Sequence, residues 1–184
     1  GRLAQQGAAS GGRLGGLGRG LRAGVDDGLR GVAKGLLGEG LRQRRGVAAR
    51  AEGGDADSMY VLALRYDAGT HGLKKDFAQS FKWFKRAADL KDVGGLAACG
   101  VRYLNGAGVE RNQIRGFIML GEAAALGSEH ACGILGRANE EGRYGLEKNP
   151  QEATRWYREM QTCDRFQTTQ AYRERAAAWL REHP

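Results

Sequence analysis

One short pattern of apolar and polar positions dominates the chain. It reads Leu62-Ala63-Leu64-Arg65-Tyr66 and returns as Cys99-Gly100-Val101-Arg102-Tyr103 and Leu135-Gly136-Arg137-Ala138-Asn139, at intervals of 36 or 37 residues. A fixed period of that length marks a stacked repeat array, each unit being one supersecondary element that cannot bury its apolar face alone. Independent markers keep the same register. Trp83, Met119 and Trp156 follow one another at 36 and 37 residues, and Asp55, Asp92 and Ser128 at 37 and 36.

Each unit reads as two helices joined by a glycine turn. Asp55, Asp92 and Ser128 stand where a side-chain oxygen would cap a first helix, and Asp76, Asn112 and Asn149 where one would cap a second. Pro150 follows Asn149 at the first helical position, where its missing N–H costs nothing. Between the helices lie Gly69-Thr70-His71-Gly72, Gly106-Ala107-Gly108-Val109 and Gly142-Arg143-Tyr144-Gly145-Leu146, where the chain reverses through positive φ.

These residues carry a family resemblance. Gly-Asp-Ala at 54–56, Leu-x-x-x-Tyr at 62–66, Gly-x-x-Gly-Leu at 69–73, Asp76, Ser80, Trp83-Phe84 and Lys85-Arg86-Ala87-Ala88 resemble the Sel-1-like repeat, a relative of the tetratricopeptide repeat, over roughly 54–163. The second unit departs from the pattern with Met119-Leu120 in place of the Trp-Tyr pair. The third has Asn139 in place of the tyrosine and Met160-Gln161 in place of two alanines. The resemblance implies an all-α solenoid of about three repeats (55–90, 91–126 and 127–163), and adaptor or scaffold work in a larger assembly without catalysis.

The residues support the same architecture independently of the family. Ala63, Ala87, Ala88, Gly100, Ala123, Ala124 and Gly136 permit close helix contact, while Tyr66, Trp83, Phe84, Tyr103, Phe117, Trp156 and Tyr157 fill the layers as core. A terminal helix from about Arg165 to Glu182 within residues 164–184, with Phe166, Ala171, Tyr172, Ala176, Trp179 and Leu180 as apolar points, is expected to cap the array by packing Trp179 on the third unit. No run of 18 or more apolar residues occurs, which excludes a spanning helix.

Residues 1–54 have a different composition. They hold 17 of the 31 glycines, no aromatic residue and +6 of the formal charge of +8. Gly12, Gly16, Gly20, Gly24 and Gly28 recur every fourth residue beside a stripe of Leu17, Leu21, Val25 and Leu29. Each internal glycine costs a helix about 1 kcal/mol against alanine, so this arm is expected to be mobile, or helical only on binding. Three readings compete: a glycine-rich tail, an amphipathic segment that lays its Leu/Val stripe on an anionic membrane or a partner helix with Arg22, Arg30 and Arg42 facing the headgroups, and a nucleic-acid arm. The last is the weakest, because no aromatic is interleaved with the arginines for base stacking. Arginine with few acids also suits an organelle import segment, and the first residue, glycine, suggests a fragment or processed form.

Catalytic and metal chemistry is thin. His71, His130 and His183 have no Cys or carboxylate at ligand spacing, and Gly15-Gly16-Leu17-Gly18 lacks the Lys-Ser/Thr of a phosphate loop. Glu140 and Glu141 are adjacent and would not face each other on a helix. Cys99 and Cys132 align with apolar positions of other units and read as buried fillers, and Cys163 follows the third unit. Three cysteines, none in the paired positions of cysteine-rich secreted members of the family, favour reduced thiols in an intracellular reducing compartment.

Function is therefore expected from a surface, with no cofactor, metal or small-molecule substrate. In helical-pair solenoids the first helices line the concave side, which suits a peptide or helix of another protein. Arg65 and Arg102, at equivalent positions, are candidates to pair with an acidic segment. Lys74, Lys75, Arg111 and Lys148 form a second row at the turn rim. The competing reading makes the basic arm the working part and the solenoid its carrier.

Overall fold

Six short polar side chains set where the repeat helices begin. In the computed structural model, which describes residues 45–163 and 170–183 of the unit Gln43–Pro184, residues 45–52 are helical (α1) and seven 13-residue helices follow. These are α2 (Ala56–Ala68), α3 (Phe77–Asp89), α4 (Val93–Asn105), α5 (Gln113–Ala125), α6 (Glu129–Glu141), α7 (Pro150–Thr162) and α8 (Gln170–Glu182). Asp55, Asp76, Asp92, Asn112, Ser128 and Asn149 cap α2 to α7 in turn, each accepting the backbone N–H three residues ahead. Each cap contributes about 1 kcal/mol, since it satisfies a donor the helix cannot.

The first helices end at Gly69, Gly106 and Gly142, whose left-handed backbones turn the N–H onto the carbonyls of Arg65, Arg102 and Ala138. The N–H of each following cap then donates to the carbonyl of Tyr66, Tyr103 or Asn139, at 2.9 Å in every unit. Asn139 thus keeps the backbone bond of the tyrosines it replaces, and its Nδ2 donates to the Leu135 carbonyl at 2.9 Å.

Inside each repeat a small residue of the first helix seats a large one of the second. A Cβ on Gly100 would lie 2.7 Å from Leu120 Cγ, and one on Gly136 would lie 2.6 Å from Tyr157 Cε1. Ala63 and Phe84 hold the equivalent positions in the first repeat. Phe84, Leu120 and Tyr157 are all essentially excluded from solvent. Burying each contributes about 2–3 kcal/mol. The Met119-Leu120 substitution therefore keeps the core position apolar and changes only its shape, and Met160 is buried where the family pattern has alanine.

One buried cluster runs from Ala63 through Leu96, Leu120 and Leu135 to Ala176. A second joins Val47 and Ala51 of α1 to Met59, Leu62 and Ala87. Residues 45–52, which fall within the 1–54 stretch, are thus packed on the first repeat.

At the other end α8 covers α6 and α7. Ala176 is buried, Trp179 Nε1 donates to Thr154 Oγ1 at 3.0 Å, and the Trp179 ring lies 6.1 Å from that of Tyr157. The expected docking of Trp179 on the third unit is observed. Polar groups fasten the cap: Arg173 forks onto the buried Glu129 carboxylate at 2.5 and 2.8 Å, and Arg175 forks onto Glu140 at 2.9 and 2.7 Å. Phe166 lies outside the described residues.

Candidate partner-binding surface

The first helices present equivalent positions in rows. Val61, Ala98 and Ile134 form one row, Leu64, Val101 and Arg137 the next, and Ala68, Asn105 and Glu141 a third. Val61 and Leu64 are exposed, so the α2 end of this face is apolar. Toward α6 the rows acquire charge.

Between α4 and α6 the face opens into a cavity of about 210 Å³. Val101, Ile134 and Ala138 line it, together with Tyr144 from the turn after α6 and Tyr172 from α8. Tyr144 has φ 55° and lies edge-on to Phe117, with ring centroids 6.3 Å apart. Tyr172 meets the His130 ring edge-on at 5.8 Å. Burial lowers the His130 pKa, so its imidazole is neutral at neutral pH.

An arginine cluster borders the cavity. Glu141 accepts from Arg137 Nε at 3.0 Å and Arg175 Nη2 at 2.6 Å, and also pairs with Arg143. Glu140 accepts from Arg175 and from the Tyr157 hydroxyl at 2.5 Å. Burial raises the pKa of both carboxyls, but the hydrogen bonds from Arg175 and Tyr157 onto Glu140, and from Arg137 onto Glu141, outweigh it and hold both below the ordinary value. Three guanidiniums share two carboxylates, so the cluster keeps a positive excess, with Arg137 and Arg143 at the cavity wall.

None of the described residues singled out from sequence as partner-binding lines this cavity. Arg102 pairs with Asp67 across the first two repeats and lies 5.4 and 5.7 Å from the Phe77 and Phe84 rings, with a side chain only 14% exposed. Its charge is therefore neutralised inside the array. Arg65 is half-buried on α2. Lys74, Lys75, Arg111 and Lys148 are exposed on the turn rim, and Lys75 Nζ lies 4.7 Å from the Phe77 ring centre. Leu17, Leu21, Arg22, Val25, Leu29, Arg30 and Arg42 lie outside the described residues.

Sequence reasoning missed Tyr144, Arg137, Arg143, Tyr172 and Arg175 as members of one site. Two signals were present: the third turn, equal in length to the first and one residue longer than the second, carries Arg143-Tyr144 where the first has Thr70-His71, and Arg137 replaces the apolar Leu64 and Val101.

Other surfaces are open as well. A cavity of about 610 Å³ lies along the outer side of α7, and one of about 380 Å³ lies between α3 and α5, beside Ile118. On α5, Ile114 and Ile118 are 75% and 56% exposed. Among the described residues no cluster of three or more His, Cys, Asp or Glu could hold a metal ion, and no helix is long and apolar enough to cross a membrane.

The family model of the Sel1 repeat matches residues 56–92, 95–128 and 130–160. The chain belongs to the Sel1 repeat family. A Sel1 repeat fold is a protein–protein interaction fold. The crystal structure of a protective antigen of uropathogenic Escherichia coli with an SLR fold is 30% identical, with a TM-score of 0.59 over 64% of this chain and 25% of that one. A Sel1 repeat protein from Oxalobacter formigenes is 30% identical, with a TM-score of 0.54 over 59% of this chain and 43% of that one. The ERAD-associated E3 ubiquitin-protein ligase component HRD3A of Arabidopsis thaliana is 34% identical over 59 residues, which is 32% of this chain and 9% of the relative. The Sel1 chain thus spans less than half the length of each of these three proteins.

Proposed function

We propose that this Sel1 array is a non-catalytic adaptor or scaffold subunit that holds a segment of another protein against its first helices. The observation that carries the reading is the α4–α6 cavity, where apolar lining from two repeats meets tyrosine walls and an arginine cluster with excess positive charge. Such a site takes an apolar or aromatic side chain and aligns a neighbouring carboxylate on the guanidiniums. The partner is then an extended peptide or a helix with an apolar anchor beside Asp or Glu. That HRD3A is by name a component of a ligase supports subunit work for a chain of this kind.

The test compares proteins captured by the full chain from its source cells with those captured by Val101→Glu and Arg137→Glu. Circular dichroism melting verifies that each variant is folded. Ile118→Glu, on the opposite helix row, is the control. Loss of the same proteins from both first-helix variants, with Ile118→Glu retaining them, supports the site. Retention by the first-helix variants and loss with Ile118→Glu would move the site to the α5 face.

A further inference from the structure

Two cysteines read separately from the sequence as an interior filler and a residue beyond the third unit meet in the fold. Cys132 Sγ and Cys163 Sγ lie 3.7 Å apart, one in the first turn of α6 and the other at the end of α7. We propose that they are an oxidation site that closes to a disulfide within the third repeat by exchange with a low-molecular-weight disulfide.

The environments of the two sulfurs divide the labour. Cys163 is partly exposed, whereas Cys132 is fully buried. The exposed sulfur is the one an external disulfide reaches, and the buried one is met only from inside. Burial pushes the Cys132 thiol well above its ordinary pKa, which keeps it inert toward external reagents.

Closure needs the sulfurs to approach from contact to about 2 Å. Cys163 is held by long hydrogen bonds, its Sγ donating to the Glu159 carbonyl at 3.4 Å. It has left helical geometry, with φ −75° and ψ 129°, and its N–H reaches the Met160 carbonyl only at 3.4 Å. Cys99 is buried on α4 and makes no such sulfur contact with a described residue.

The steps balance. The Cys163 thiolate bonds to one sulfur of R–S–S–R and expels R–S⁻, which takes up a proton. Cys132 Sγ then attacks Cys163 Sγ, and its proton leaves with the second R–S⁻ as R–SH. One S–S bond breaks, one forms, and two electrons pass from the cysteine pair to R–S–S–R, released as two thiols. The new bond ties the end of α7 to the start of α6 beside Gly133, against which Tyr172 of α8 packs.

The experiment treats the reduced full chain with oxidised glutathione and counts alkylatable thiols in denaturant. The expected result is a fall from three thiols to one, a mass loss of two hydrogens, and a peptide linking Cys132 to Cys163. Cys163→Ser should abolish the change, and Cys132→Ala should accumulate a stable glutathione adduct on Cys163. Cys163→Ser alters a partly exposed position, so the test survives if Cys132→Ala fails to fold. A wild-type chain that keeps three thiols, or that ends as a glutathione adduct with Cys132 still reduced, would overturn the proposal.

Discussion

The contact at Gly108 gives the sharpest test of how the repeats stack. Gly108 lies in the turn between α4 and α5 with φ 76°, and a Cβ there would sit 2.0 Å from the Phe77 carbonyl oxygen and 2.3 Å from its carbon. Phe77 opens α3, so the collision is with the backbone of the preceding repeat and no rotamer change relieves it. Gly108→Ala therefore combines two costs. A left-handed non-glycine backbone costs about 1–2 kcal/mol, and overpacking a tight interface adds about 1–3 kcal/mol. The sum is a loss of about 2–5 kcal/mol, a large share of the roughly 5–15 kcal/mol typical of a domain. Gly145 separates the two terms, because it holds the equivalent position with φ 79° but a Cβ there would meet only the Gln113 side chain, at 3.4 Å. Gly145→Ala should cost only the backbone term. Gly121, inside α5 with nothing within 4 Å of an added Cβ, should gain up to about 1 kcal/mol as alanine. Urea unfolding followed by far-UV circular dichroism reads all three. Equal losses for Gly108→Ala and Gly145→Ala, or no loss at Gly108, would refute the close stacking of the turn on α3.

Other outcomes follow from the polar contacts. The Glu140 carboxyl is held below its ordinary value of 4.5, so its contribution is fully present above that pH and is lost as pH falls through the folded value. Melting between neutral and acid pH should show this decline, flatter in Glu140→Gln, and an unchanged slope would remove Glu140 from the cap's stability. Tyr157→Phe deletes the buried hydroxyl that donates to the same carboxylate and should cost about 1.5–3 kcal/mol in a urea titration. Arg102→Met should cost about 1–2 kcal/mol by removing the Asp67 pair and the contacts with Phe77 and Phe84. Arg111→Met and Lys148→Met on the exposed rim should stay within about 0.5 kcal/mol of the parent, and a loss as large as that at Arg102 would contradict the assignment.

The sequence alone determined the elements and their order, because the causes of a helix start or a turn lie within a few residues. Asp55, Asn112 and Ser128 satisfy donors three residues away, and Gly69 or Gly106 needs only its own φ, so both can be read from a short window. Periodicity then gave stacking, since a helix pair with one apolar face must find a neighbour. The site was much less legible. Arg102 looked like a surface charge until stacking brought Asp67, 35 positions earlier, against it. Glu129 and Arg173 are 44 positions apart, and Tyr144 and Tyr172 share a cavity only because α8 lies against α6. Cys132 and Cys163 likewise occupy unrelated places in the repeat pattern, 31 residues apart. Local chemistry thus determined where each helix begins and ends. Only the tertiary structure decided which side chains pair, because the repeat pattern gives each residue's place within its unit but not which side chains at the unit boundaries and beneath the cap come together.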